Sequence, residues 1–233
     1  MNAIFVAGTD TGIGKTVVAG CLARYISEKG YRVITQKWIQ TGSRHNFSAD
    51  IRAHLDIMGK EKRDIEGYLH HVAPYIFRAA CSPHLASEIE DKKISRDKII
   101  KSFKFLSGEF DFVIAEGLGG VSVPFDKKHL AIDIVKELNL PVLLVVGNKL
   151  GAINHALLTI EALRKRKIKI LGLVFNNLKG QDGYILKDNP RIIRALSRQR
   201  VFGALPWLAA RERLYKRFVP IGDQILKRLL AYG

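Results

Sequence analysis

The sequence predicts an α/β fold, a mainly parallel sheet with helices on both faces, and three observations predict it. Short apolar runs alternate along the chain with segments of helical spacing, the rhythm of βα repeats around a buried parallel sheet. The stretch Gly8-Thr9-Asp10-Thr11-Gly12-Ile13-Gly14-Lys15-Thr16 stands between the first apolar run and the first helical segment. No internal repeat, low-complexity tract or linker interrupts the 233 residues, so one domain spanning 1–233 is the expected organisation.

In chain order, the runs Ala3–Ala7, Arg32–Thr35, Phe112–Ala115, Val142–Val146, Ile170–Val174 and Val201–Ala204 are the expected strands. Between them, Val17–Lys29 has helical spacing and ends at Gly30, a C-terminal cap. Ala152–Arg166 is a second helix. Pro190–Arg198 is a third, with Pro190 read as the first helical residue after an Asn189 N-cap. The segment 59–104, broken by Pro74 and Pro83, fits the rhythm least and reads as a helical or irregular insertion bearing substrate contacts. Parallel sheets of this kind bind ligands beyond the carboxyl ends of their strands.

The glycine-rich loop narrows the fold to the P-loop NTPase type. Glycines let several backbone N–H groups point at one anion, and the following helix adds its positive end. Lys15 would reach the outer phosphates and the Thr16 hydroxyl would hold Mg²⁺. The spacing is not the strict Gly-x-x-x-x-Gly-Lys-Ser/Thr, because Thr9 stands at the first glycine's place and Gly8 one residue upstream.

Polar residues stand at the ends of other strands. Lys37 taken alone is a surface lysine, but its place past a strand end puts it near the phosphate chemistry. Glu116 ends its strand before Gly117-Leu118-Gly119-Gly120, so a metal ligand and a simple cap are both open readings. Asp50, in Ser48-Ala49-Asp50, is either a metal ligand or a cap for a helix beginning at Ile51. His84 and His155 have no sequence partner that would make a triad or metal set and read as structural. Cys21 and Cys81 form no metal-ligand or CxxC spacing, and Cys21 falls on the first helix's apolar face.

Composition limits the partners. The net charge of +16 raises nucleic acid or membrane phosphate as an issue. The basic residues are dispersed: Arg164–Lys167 close a helix, Arg191, Arg194, Arg198 and Arg200 spread through another, and Arg211, Arg213, Lys216 and Arg217 lie in a later segment. No aromatics interleave as stacking platforms, so a solvated basic surface is expected rather than specific nucleic-acid binding. The longest apolar stretch, Leu138–Gly147, is shorter than the roughly 18 residues of a membrane span and reads as a buried strand. Met1-Asn2 leads straight into the first strand, which leaves no room for a cleavable signal and makes the cytoplasm the expected compartment.

Taken together, these motifs resemble the dethiobiotin synthetase family. The phosphate loop with its extra residue is similar to that family's loop. Lys37-Trp38-Ile39-Gln40-Thr41-Gly42, Pro74–Phe77 with Ser82–Ala86, Glu116–Gly120, Gly147–Thr159, Asn176-Asn177 and Leu205–Leu208 follow in the family's order. The resemblance implies an ATP-dependent ureido-ring closure that converts 7,8-diaminononanoate and CO₂, through a carbamate and a carbamic-phosphoric anhydride, to dethiobiotin, ADP and phosphate. It further implies Lys15 and Lys37 as catalytic groups, Mg²⁺ held by Thr16, Asp50 and Glu116, and Thr11 and Thr41 on the carbamate. Nucleotide contacts are implied for Gly12, Ile13, Gly14, Lys15, Thr16, Val17, Asp50, Glu116, Gly117, Leu118 and Gly119, with Asn176, Asn177, Leu205, Pro206 and Trp207 along the adenine. A homodimer is implied, in which Leu150, Gly151, Ala152, Ile153 and Asn154 of a second copy bind the substrate carboxylate near a helix N-terminus. By itself, Asn154 reads equally as an N-cap.

The chain departs from the family pattern at Trp38 and Ala80, where proline is usual. Trp38 adds bulk close to Lys37, and Ala80 loosens the backbone restriction of its loop. After Leu208 the chain is strongly basic and unmatched. The alternative reading is a ParA- or MinD-like ATPase switch on DNA or membrane, for which Ile221–Leu230 would be a weak amphipathic candidate. Against it, Thr9-Asp10-Thr11 stands where that family carries its signature lysine near the start of the loop.

Overall fold

In the computed structural model, residues 2–231 are described. The expected strands form, each extended at its carboxyl end: β1 (Asn2–Gly8), then β2 (Val33–Lys37), with α1 (Lys15–Glu28) between them. The insertion is more regular than the sequence suggests. After β3 (Ile39–Gln40) and α2 (Ala49–Met58), which precede it, the segment from residue 59 on contains a 3-10 turn, α3 (Leu69–Val72), β4 (Tyr75–Ile76), α4 (Pro83–Ile89) and the start of α5 (Arg96–Glu109). The chain then runs through β5 (Phe112–Glu116), α6 (Ala131–Glu137), β6 (Val142–Asn148), α7 (Ala152–Lys165), β7 (Ile170–Asn177), α8 (Gly183–Ser197), β8 (Val201–Leu205) and α9 (Arg211–Leu230).

Among the described residues, six strands make one sheet in the order β2-β5-β1-β6-β7-β8, every pair parallel. A side sheet pairs β3 with β4, also parallel. Side chains alternate between two cores. Ile4, Val6, Ile114, Leu143 and Val145 pack beneath α1 and α9, whereas Phe5, Ala7, Val113, Ala115, Leu144 and Val146 face the opposite layer. Burial on both faces is why these strands read as continuous apolar runs.

Three expectations are corrected. Asn189 does not cap a helix starting at Pro190, because α8 runs through both residues. Proline in mid-helix leaves the carbonyl four residues earlier without its donor. That carbonyl, Leu186 O, instead accepts from Asn148 Nδ2 at 2.9 Å, while Asn189 Nδ2 donates to Asn148 Oδ1 and Lys149 O. Residues 221–230 are no membrane-facing surface: Ile221, Ile225, Leu226 and Leu229 of α9 are buried against the sheet and α1. Trp38 turns away from Lys37's cleft into the core, its ring 4.8 Å from Phe5 and its Nε1 donating to Gln36 Oε1. Among the described residues, no helix is long and apolar enough to cross a membrane.

Candidate active site

Parallel register assembles the site. Lys37 at the end of β2 is the register partner of Glu116 at the end of β5, which pairs in turn with Val6 of β1, just before the glycine-rich loop. On the other side of β1, Asn176 of β7 pairs with Leu205 of β8. Residues far apart in sequence therefore line one edge of the sheet, where β1 lies between β5 and β6. A cleft of about 630 Å³ opens there, lined by Thr11, Gly12, Gly14, Lys15, Thr16, Lys37, Gln40, Thr41, Asp50, Glu116, Leu118 and Gly119. Ala80, Cys81, Ser82 and Pro83 from the insertion form part of its wall.

The loop folds because Gly12 and Gly14 adopt positive φ, 71° and 96°. Asn176 Nδ2 donates to Ile13 O at 2.9 Å and holds the loop to β7. Lys15 Nζ donates to Asp10 O at 2.7 Å and Gly119 O at 2.9 Å, so its ammonium stands between the two glycine-rich loops. Burial, and then the charge of Lys37, lower the Lys15 pKa to about 8.

Lys37, which in isolation reads as a surface lysine, is only 5 % exposed. Its Nζ lies 2.7 Å from Asp50 Oδ2 and 2.9 Å from Glu116 Oε1, and donates to Gly117 O at 2.8 Å. Burial alone would lower Lys37 and raise Glu116. The opposite charges win, so Lys37 lies above the ordinary lysine range and Glu116 well below the usual carboxylate range. Thr16 Oγ1 lies 3.1 Å from Glu116 Oε1 and 3.4 Å from Asp50 Oδ1. One hydroxyl and two carboxylates thus converge beside Lys37.

Asp50 is not the helix cap. Ser48 is the N-cap of α2, its Oγ accepting from Ile51 N, and Asp50 sits in the first turn with its carboxylate turned to Lys37 and Thr16 at the cleft. The helix end is fixed from outside by Gln40, whose Oε1 accepts from Ser48 Oγ at 2.7 Å and Asp50 N at 3.1 Å. Sequence reasoning gave Gln40 no role, although it lies inside the Lys37–Gly42 segment. It also missed His54, fully buried with Nε2 2.8 Å from Glu116 Oε2. Its one sequence signal is the four-residue spacing from Asp50, which puts both on one helix face.

The loop carrying Ala80 is tied down without its proline. Gly42 N donates to Ala79 O and Ser43 N to Phe77 O, while Glu90 Oε1 accepts from Arg78 N and Ala79 N. His84 is partly buried on α4, and His155 is exposed on α7.

Other candidates lie outside the cleft. Asn177 accepts from Asn148 Nδ2, and Trp207 is 52 % exposed with Lys179 Nζ 5.1 Å from its ring centroid. Leu150–Asn154 lie at the start of α7, where Gly151 rather than Asn154 is the N-cap, and Leu150 is 79 % exposed.

The chain matches a family model described as an AAA domain over residues 2–213. It is 39 % identical over 198 residues to ATP-dependent dethiobiotin synthetase BioD 2 of Haemophilus ducreyi, covering 84 % of this chain and 92 % of that one. The corresponding protein of Haemophilus influenzae is 40 % identical over 186 residues, covering 79 % and 95 %. ATP-dependent dethiobiotin synthetase BioD of Chlorobaculum tepidum is 39 % identical over 203 residues, covering 86 % and 83 %. Among solved structures, a ParA family ATPase from Chlorobium tepidum superposes with a TM-score of 0.59 at 14 % identity, covering 99 % and 98 % of the two chains. The Pyrococcus furiosus cell division ATPase MinD gives 0.60 at 18 %, covering 97 % and 99 %. At such identities the likeness is one of fold.

Proposed function

The chain belongs to the dethiobiotin synthetase family, and from that premise we infer that it is a ligase of biotin biosynthesis that forms dethiobiotin at the expense of ATP. The observation that carries the reading is the meeting of Lys15, Lys37, Thr16, Asp50 and Glu116 in one cleft at the strand ends. Phosphoryl transfer is mainly positioning and charge neutralisation, and this cluster offers both without a protein nucleophile.

In this reaction, one amine of 7,8-diaminononanoate takes up CO₂ as a carbamate. A carbamate oxygen then bonds to the γ-phosphorus of ATP as the bond to the bridging oxygen of ADP breaks. The second amine attacks the carbamoyl carbon, phosphate leaves, and the ureido ring closes. Lys15 and Lys37 stabilise the negative charge that spreads between the γ-phosphoryl and the carbamate, and Thr11 and Thr41 orient the carbamate. Asn176 and the 205–207 turn lie along the adenine.

Thr16, Asp50 and Glu116 would hold Mg²⁺. The donor set fits a hard cation, since all three donors are oxygen and Lys37 keeps Glu116 ionised. When bound, the ion supplies charge neutralisation at the phosphate oxygens. The carboxylate tail of the substrate is held by residues 150–154 of a second copy, where the positive end of the α7 dipole favours an anion. The enzyme works as a cytoplasmic homodimer.

The test is one assay with purified protein, Mg-ATP, bicarbonate and 7,8-diaminononanoate, detecting dethiobiotin by mass. Product is expected only with all components present. Lack of product under conditions where ATP binds, or ATP turnover stimulated by DNA without the diamine, would sink the reading. Lys37→Ala is expected to lower turnover by at least about 10²-fold with ATP affinity largely kept; near-normal turnover would overturn its role.

A further inference from the structure

We infer that His54 is a positioning residue for Glu116, fixing which carboxylate oxygen faces the cleft. This rests on the reading that Glu116 serves a cation and the phosphates. The two oxygens of Glu116 keep different company. Oε1 meets Lys37 Nζ and Thr16 Oγ1 at 2.9 and 3.1 Å, whereas Oε2 meets only His54 Nε2, at 2.8 Å, among the contacts of the described residues. Glu116 is 2 % exposed, so an Oε2 without that donor would be a buried, unsatisfied anion. A carboxylate gripped at both oxygens cannot rotate about its last bond.

His54 has little other reason to be polar. It is fully buried, and its Nδ1 has no hydrogen-bond partner among the described residues. An N–H on Nε2 meets the carboxylate acceptor, and that bond is the ring's one polar contact among the described residues. A leucine would fill similar space without an orphaned nitrogen, so the one bond to Glu116 is what the imidazole contributes.

Two helix faces bring the ring there. Thr16 and Gly20 are four residues apart on α1, as Asp50 and His54 are on α2, so each pair lies along one face. Gly20 lets the helices close: a Cβ there would sit 3.3 Å from His54 Cα and 2.8 Å from Ile57 Cδ1. The close approach sets the ring beneath the cluster that Thr16 and Asp50 form above it.

The test compares His54→Leu, His54→Gln and His54→Asn with wild type. Mn²⁺ binding in the presence of ATP is followed by electron paramagnetic resonance, alongside kcat and the KM for the diamine. Removing a hydrogen-bond partner of a metal ligand typically weakens metal binding about 10- to 100-fold. That loss is expected for His54→Leu, with reduced kcat and an unchanged KM for the diamine. Gln, whose amide nitrogen reaches the place of Nε2, is expected to restore most of the affinity, and the shorter Asn is not. If the Leu variant fails to fold, the Gln and Asn pair decides alone. Metal affinity within about twofold of wild type for a folded Leu variant or for Asn, or Gln no better than Asn, would overturn the inference. A Glu116→Gln control that leaves Mn²⁺ affinity unchanged would overturn it too, together with the metal reading. Metal binding that responds to His54 in a protein that makes no dethiobiotin would uphold the positioning role and count against the reaction.

Discussion

Two ammonium groups share the floor of the cleft, and their surroundings give them opposite tendencies. Lys37 is buried but faces two carboxylates, which hold its proton firmly. Lys15 is buried beside Lys37, with two backbone carbonyls as its near partners, and loses its proton at about pH 8. A triphosphate bound at the loop favours the charged lysine, so the pKa of Lys15 rises on binding. The sign follows by linkage: ATP affinity is complete below the free-state pKa and declines as pH rises through it, by up to tenfold per unit. Without Mg²⁺, ATP is expected to bind roughly tenfold more weakly at about pH 9 than at about pH 7.5, with the dependence abolished in Lys15→Met. Calorimetric titration across that range checks it, and a flat profile in the wild type would remove the role assigned to Lys15.

At the scale of elements, the glycine-rich loop works because Gly14 passes from β1 into α1 in a left-handed conformation. A Cβ at Gly14 would also lie 2.4 Å from Asn176 Nδ2, the group that ties Ile13 O to β7. Gly14→Ala therefore combines a backbone cost of about 1–2 kcal/mol with a displaced anchor. ATP affinity is expected to fall at least about tenfold. Gly180→Ala also has positive φ but open space around it, so it carries the backbone cost alone and leaves ATP affinity unchanged. Equal losses in the two variants would show that the Asn176 contact is irrelevant. The strands and this loop were legible in the sequence because each follows from a local pattern of apolar runs and glycines. The burial of Lys37 was not, since it depends on β2 lying beside β5 and on Glu116, 79 residues away. His54 was hidden for the same reason. The start of α8 is not legible locally, because Pro190 is accommodated by a long-range donor, Asn148, that no local rule for proline contains.

At the scale of the molecule, the uneven distribution of exposed apolar surface bears on assembly. Leu150, just before the N-cap of α7, and Leu158 on it are 79 % and 56 % exposed, and Asn154 shares a helix face with Leu158, four residues on. Ile153 and Leu157 are half-buried next to them. This strip begins at the residues read as binding the substrate's carboxylate, so an interface along it would join tail binding to dimer formation. Burying a leucine side chain fully contributes about 1.5–3 kcal/mol, whereas burying a glutamate there without a partner is unfavourable. On the proposed dimer interface, wild type is expected to sediment as a dimer and Leu158→Glu as a monomer in analytical ultracentrifugation. It is also expected to raise the KM for the diamine at least about tenfold, as a charge-assisted hydrogen bond of roughly 1.5–3 kcal/mol is lost with the partner. ATP affinity should not change, because the phosphate loop, Lys37, Asp50 and Glu116 all come from one chain. A monomeric Leu158→Glu variant with an unaltered KM would show that each chain binds the whole substrate by itself. The start of α7 would then have to meet the tail within its own subunit or not at all.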